Sequence, residues 1–292
     1  MNVHRSLLFT PADSERKVEK AFLSAADGVI LDLEDAVAVS AKPLARERAA
    51  EIVAEPRRLP AYVRVNGTTT PFCFRDVMAV TRPGLSGILL PKVESAAQLL
   101  TIDWVMTQIE EELGLPRNGC EIMPLIETAG GLTALDEIAR ATPRVRRLAF
   151  GAVDLAFDMD IDIEDDRGAM EQARFAVARA SRAAGLTAPF DTAFPGISEP
   201  ERLRATARHA KALGYSGKSC IHPSQVEIVN EVFSPSATEL DRSRRIVAAF
   251  DEAEAKGSAA IMLDGQMIDY PIVDKARRLL ASGLFGSVEG GS

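Results

Sequence analysis

Short apolar runs recur along the chain with polar, amphipathic stretches between them. They lie at Ser6–Thr10, Gly28–Leu33, Ala61–Val65, Gly87–Leu90, Glu121–Ile126, Arg147–Gly151 and Gly217–Ile221, with a weaker one at Leu186–Phe190. Each is too short for a helix and reads as a buried strand. Most are followed by segments with helical periodicity, such as Ser14–Ser24, Pro43–Ala54, Ala96–Leu113 and Glu199–Leu213. Eight strands alternating with helices predict an α/β chain, a (β/α)8 TIM barrel rather than an open sheet. An open sheet would more often carry a Gly-rich phosphate loop after its first strand, and Phe9-Thr-Pro-Ala-Asp13 is no such loop.

Beyond the eighth strand the chain runs on for about 70 residues, more than one closing helix needs. Ser236–Ala255 reads as a long helix with Ser236 as its cap. Asp264-Gly265 then marks a hairpin turn between two apolar runs, and a last helix is expected over Ile272–Ser282 before a Gly/Ser tail. The expected division is a catalytic barrel over residues 1–235 and a C-terminal helical lid or oligomerisation extension over residues 236–292.

Composition narrows the function classes. The 292 residues are 47% hydrophobic and 26% charged, with a net charge of -8 and a pI near 5.1. That balance argues against a nucleic-acid surface. Cys73, Cys120 and Cys220 lack metal-ligand spacing and read as free buried thiols. No stretch reaches the ~18 apolar residues of a membrane span, and Met1-Asn-Val-His-Arg5 opens no signal peptide. A cytoplasmic protein is expected, with no membrane partner.

Candidate chemistry gathers where strands end. Catalytic groups of such barrels sit at the carboxyl ends of the strands, where this chain has Asp32, Glu34, Asp35, Arg64, Asn66, Lys92, Glu127, Asp154, Asp191 and His222. In Ile122-Met-Pro-Leu-Ile-Glu-Thr-Ala-Gly-Gly131 an apolar run stops at Glu127, and Arg147-Leu-Ala-Phe-Gly-Ala-Val-Asp154 repeats the arrangement. Hard oxygen donors on successive strand ends, with no His or Cys beside them, suit Mg²⁺; the alternative for each is a helix cap. Arg64 either forks onto a substrate oxygen or pairs with Asp32 or Glu34 inside the barrel. Asp32, Glu34 and Asp35 are expected to support metal-bound water from behind rather than to ligate. Lys92 has two readings, an anion contact or a pair with Glu94. No nucleophile elbow or Schiff-base lysine is present in the pattern.

Taken together, these stretches resemble the citrate lyase beta-subunit-like family, within the metal-dependent aldolases and acyl-CoA lyases. The likeness runs through Arg5-Ser-Leu-Leu-Phe9, Leu31-Asp-Leu-Glu-Asp35, Val63-Arg-Val-Asn66 and Leu90-Pro-Lys-Val-Glu94. It continues through Ile126-Glu-Thr-Ala-Gly130, Phe150-Gly-Ala-Val-Asp-Leu155 and Ile221-His-Pro-Ser-Gln225. It implies a barrel, Mg²⁺ held by Glu127 and Asp154, and Arg64 at the substrate. Gln266-Met-Ile-Asp-Tyr-Pro271 is similar to the lid of malyl-CoA and citramalyl-CoA lyases. Asp269 would then reach the active site of a neighbouring copy in a homotrimer or hexamer. Two departures stand out: Ala12 replaces a common Gly, and the acidic run from Asp158 to Asp166 would repel CoA phosphates.

The implied activity is Mg²⁺-dependent cleavage or formation of a 3-hydroxy-acyl thioester, such as malyl-, citramalyl- or citryl-CoA. The products of cleavage would be an acetyl thioester and a 2-oxo acid. The alternatives are a class II pyruvate-type aldolase on free oxo-acids and a citrate lyase beta subunit that depends on an acyl carrier.

Overall fold

The computed structural model describes residues 4–163 and 168–281, and in it the apolar runs close on themselves. β1 (Ser6–Pro11), β2 (Gly28–Asp32), β3 (Ala61–Arg64), β4 (Leu85–Leu90), β5 (Glu121–Ile126), β6 (Ala149–Phe150), β7 (Phe190–Asp191) and β8 (Gly217–Cys220) pair in sequence order as a closed barrel. β8 returns to β1 in parallel, with Ser6 opposite Lys218 and Leu8 opposite Cys220. The expected (β/α)8 TIM barrel is the fold.

Strands covered on both faces read as continuous hydrophobic runs, and β2 and β5 are buried at every position. Leu7, Ile30, Tyr62, Leu89, Met123, Leu125, Ala149 and Phe190 pack together as a core cluster. The weak seventh run shrinks to two residues. Pro189 has no N–H to give to a ladder, so only Phe190 and Asp191 pair, while Thr187 N–H still reaches the Arg146 carbonyl.

The barrel helices are α1 (Glu15–Phe22), α2 (Lys42–Ile52), α3 (Cys73–Val80), α4 (Ala96–Leu113), α5 (Ala129–Thr133), α6 (Leu135–Ile138), α7 (Ala152–Asp158), α8 (Ala169–Ala183), α9 (Pro200–Ala212) and α10 (Pro223–Phe233). Among the described residues no helix is long and apolar enough to cross a membrane.

The chain divides into two compact units, His4–Glu231 and a second from Val232 onward. In the second, α11 (Ala237–Ala255) starts where Ser236 accepts from Glu239 N–H while the Glu239 carboxylate accepts from Ser236 N–H. β9 (Ala260–Leu263) and β10 (Gln266–Asp269) form the hairpin, turning at Asp264 and Gly265 with positive φ. α12 (Tyr270–Ala281) begins two residues earlier than the periodicity predicts, because Pro271 is tolerated in a first helical turn. Ser282 and the Gly/Ser tail lie outside the described residues. Ile246, Phe250, Ile268, Val273 and Ala276 make this unit's own core.

One buried ion cluster holds the barrel's flank. Arg144, fully buried, donates from Nη1 to Glu110 Oε1 at 2.7 Å and from Nε to Asp103. Glu110 is itself 1% exposed, so removing the guanidinium would strand a buried carboxylate. Arg144→Met is expected to cost about 3–5 kcal/mol in urea unfolding, and adding Glu110→Gln should recover part of that loss.

Candidate active site

A cavity of about 550 Å³ lies within the barrel unit, lined by Phe9, Asp32, Arg64, Glu127, Asp154 and Thr192 among others. Its polar groups come from the carboxyl ends of strands and the turns after them, where a parallel barrel directs its loops.

Asp32, the last residue of β2, is 1% exposed and fully engaged. Its Oδ1 accepts Glu34 N–H at 2.9 Å and its Oδ2 accepts Ala36 N–H at 3.1 Å, which folds the loop back on itself. Arg64, the last residue of β3, forks onto the same carboxylate, Nε to Oδ1 at 2.7 Å and Nη2 to Oδ2 at 2.6 Å. Its Nη1 lies 3.1 Å from Glu34 and 3.6 Å from Asp35, and the guanidinium sits over the Phe9 ring at 5.0 Å. Of the two sequence readings of Arg64, the intramolecular pair with Asp32 and Glu34 is formed, and the paired guanidinium still lines the cavity, where a substrate oxygen could meet it. Burial disfavours the Arg64 charge, but the hydrogen bond to Asp32 and the charges of Asp32, Glu34 and Asp35 outweigh it and raise its pKa.

Behind this pair stands a tier that sequence reading largely missed. Lys42 donates to the carbonyls of Leu33 and Glu34 at 2.8 and 2.9 Å. Asn66 Nδ2 reaches Leu33 O and Asp76 Oδ2, and Arg46 holds the other Asp76 oxygen at 2.7 Å. Asp76 is wholly buried on α3. The signal for it was an acid among apolar helical positions, which requires a buried partner.

Glu127 is 2% exposed. Lys92 turns its backbone N–H onto Glu127 Oε1 at 3.0 Å by taking a φ of +52°, a left-handed conformation that side-chain-bearing residues rarely adopt. The Lys92 ammonium reaches Glu34 Oε1 at 3.0 Å and Asp154 Oδ1 at 3.3 Å, not Glu94. Asp154 sits in the first turn of α7 rather than at the strand end itself. Burial, the charge of Asp154 and that of Glu34 push the Glu127 carboxyl up to about 8, against the weaker pull of Lys92 and Arg64.

This donor set fits Mg²⁺. Among the described residues, five carboxyl groups (Asp32, Glu34, Asp35, Glu127 and Asp154) face the paired cations Arg64 and Lys92. A divalent cation between Glu127 and Asp154 would offset that excess. Both carboxylates line the same cavity, and hard oxygens from one or two carboxylates plus substrate and water are what Mg²⁺ takes. Among the described residues no group of three or more His, Cys, Asp or Glu is set to hold a metal, so an ion at these two carboxylates would take its remaining ligands from substrate and water.

Other strand-end candidates go elsewhere. Asp191 is bound by Lys218 at 2.5 Å and Arg174 at 2.8 Å, and these cations hold its carboxyl below the usual range despite full burial. His222 is exposed, with Nδ1 2.8 Å from Ser224 Oγ. Asp269 belongs to the C-terminal unit, where its Oδ1 accepts Ile272 N–H at 3.4 Å in the first turn of α12. Of the acidic run, Asp158 accepts Ala129 N–H at 2.8 Å, and residues 164–166 lie outside the described residues.

A closed parallel barrel whose polar groups gather at the carboxyl ends of its strands is the architecture of barrel enzymes that work at that face. Within that class the chain belongs to the HpcH/HpaI aldolase/citrate lyase family, whose model matches residues 5–223. It is 36% identical over 284 residues to the citrate lyase subunit beta of Leuconostoc mesenteroides subsp. cremoris, spanning 95% of this chain and 92% of that one. It is 35% identical over 295 residues to the L-malyl-CoA/beta-methylmalyl-CoA lyase of Cereibacter sphaeroides, spanning 94% and 92%. The structure of the protein CitE from Mycobacterium tuberculosis in complex with magnesium, acetoacetate and coenzyme A superposes with a TM-score of 0.79 at 33% identity, covering 96% of this chain and 98% of that one. The chain is a carbon–carbon lyase of this family.

Gly151 keeps the two carboxylate elements in close approach. A Cβ there would lie 2.5 Å from Glu127 Oε2 and 2.8 Å from Glu127 Cβ. Gly151→Ala should therefore displace the Glu127 carboxylate and lower lyase turnover by about 100-fold, while circular dichroism shows the barrel intact.

Proposed function

We propose that the chain is a Mg²⁺-dependent lyase for a 3-hydroxy-acyl thioester of CoA, of the malyl, citramalyl or citryl type. The products would be an acetyl thioester and a 2-oxo acid. The observation that carries this reading is the convergence of Glu127 and Asp154 on one cavity beside an arginine held rigid by Asp32. Similarity to a malyl-CoA lyase and to a CitE structure holding magnesium and coenzyme A supports it.

Glu127 and Asp154 would hold the metal. Bound there, Mg²⁺ would supply Lewis-acid polarisation of the oxygens on the oxo-acid half. In cleavage the substrate hydroxyl gives its proton to solvent water in the cavity and the oxo-acid carbonyl forms. The electron pair of the bond to the carbon beside the thioester passes to the thioester as its enolate. The resulting thioester enolate then takes a proton at that carbon. Arg64 is pre-aimed by its fork on Asp32, so its charge meets the developing enolate oxygen with little reorganisation. Lys17, exposed and lining the cavity, offers a cation to an anionic substrate.

Asp269 of a partner copy would supply the enolate's proton, which makes a homotrimer or hexamer the working form. The near-equal likeness to a citrate lyase subunit beta favours a second reading, the same chemistry on an acyl-carrier thioester.

A lyase assay with Mg²⁺ against malyl-, citramalyl- and citryl-CoA tests the proposal. Turnover of at least one is expected, with Glu127→Gln and Asp269→Asn each reducing it by about 100-fold or more. Undiminished turnover in excess EDTA, or a fully active Glu127→Gln enzyme, would sink the metal assignment. Activity confined to acyl-carrier substrates would select the second reading.

A further inference from the structure

The two proposed ligands come from different elements, Glu127 from the turn after β5 and Asp154 from the first turn of α7. Two side chains tie that helix down at opposite ends. At its start, Ala152 N–H donates to Thr192 Oγ1 at 3.1 Å, just past β7. At its finish, Asp158 Oδ2 accepts Ala129 N–H at 2.8 Å, two residues past Glu127. Between the ties, Gly151 N–H donates to the Ile126 carbonyl at 3.0 Å, so the backbone leading into α7 is fixed against the strand that delivers Glu127.

The helix has few other anchors on its outer side. Phe157 is 89% exposed, and Val153, 55% exposed, lines the cavity. Packing therefore does not fix the pose of α7 from that side. On the inner side Ala152, Leu155 and Ala156 are buried and seat α7 in the barrel unit. A seven-residue helix is too short to hold itself, and its placement relative to Glu127 is set by its end contacts.

We propose that Asp158 and Thr192 are positioning residues that set the separation of Glu127 and Asp154, and so the affinity of the site for its divalent ion. This rests on the reading of Glu127 and Asp154 as metal ligands. Asp158 acts through its acceptor oxygen on the Ala129 amide, not through its charge. Neither residue is assigned as a ligand of the ion. Part of the acidic run that appears, from sequence, to repel CoA phosphates is thus committed to holding the carboxylate elements together.

The test uses the full-length protein and Mn²⁺ as the probe, with free ion counted by electron paramagnetic resonance. Asp158→Ala and Thr192→Val should each weaken Mn²⁺ binding about fivefold or more. Asp158→Asn and Thr192→Ser keep an acceptor oxygen and should restore binding to within about twofold of wild type. Amide exchange at Ala129 should accelerate in Asp158→Ala and not in Asp158→Asn. Wild-type Mn²⁺ affinity in Asp158→Ala, or a loss in Asp158→Asn equal to that in Asp158→Ala, would overturn the proposal. Glu127→Gln serves as the control. If it binds Mn²⁺ as wild type does, the ligand assignment fails; if it loses binding while Asp158→Ala does not, only the positioning role fails.

Discussion

A carboxylate that is 2% exposed at the end of an apolar strand is the constraint on which this architecture turns. Burying an uncompensated charge is costly enough that the group either finds a cation or takes up a proton. Among the described residues Glu127 accepts one hydrogen bond, from Lys92 N–H, and burial with Asp154 and Glu34 nearby drives its pKa up to about 8. The nearest cations already face other carboxylates. Arg64 is forked onto Asp32, and Lys92 is divided between Glu34 and Asp154. The rim therefore gathers more carboxyl groups than cations, an excess that a divalent ion would offset.

The rest of the site is organised to keep that excess in place. Asp32 serves Arg64 and its own loop at once, so it is saturated as an acceptor and is not a free ligand. Lys42, Asn66, Asp76 and Arg46 fix the backbone that carries Glu34. The left-handed turn at Lys92 gives Glu127 a backbone donor. Backbone strain at a functional turn persists only where surrounding contacts determine it, and here both ends of the Lys92 side chain and main chain are engaged.

Much of this was legible in the sequence because strand periodicity fixes which residues end a strand. Asp32, Arg64, Glu127 and the turn holding Lys92 follow from that alone. What periodicity cannot supply is register between strands. Asp191 also ends a strand, yet pairing places it against Lys218 from β8 and Arg174 from α8, and it lines no part of the cavity. Lys92 meets Glu34 across 58 positions of sequence, while its near neighbour Glu94 was the tempting local partner. The helical origin of Asp154 was hidden because apolar residues run through the strand and into α7, with only Gly151 marking the boundary. Asp158 looked like one more charge in an acidic run, since its acceptor role depends on Ala129, 29 residues earlier.

The central claim is that the charge excess around Glu127 and Asp154 is a divalent-ion site. Crystals soaked in Mn²⁺ with a 2-oxo acid and measured at the manganese absorption edge test it most directly. The account predicts a single strong anomalous peak in the barrel mouth, bounded by one oxygen each from Glu127 and Asp154. A mouth with no peak at saturating Mn²⁺, or a peak held by Asp32 and Glu34 instead, would contradict it.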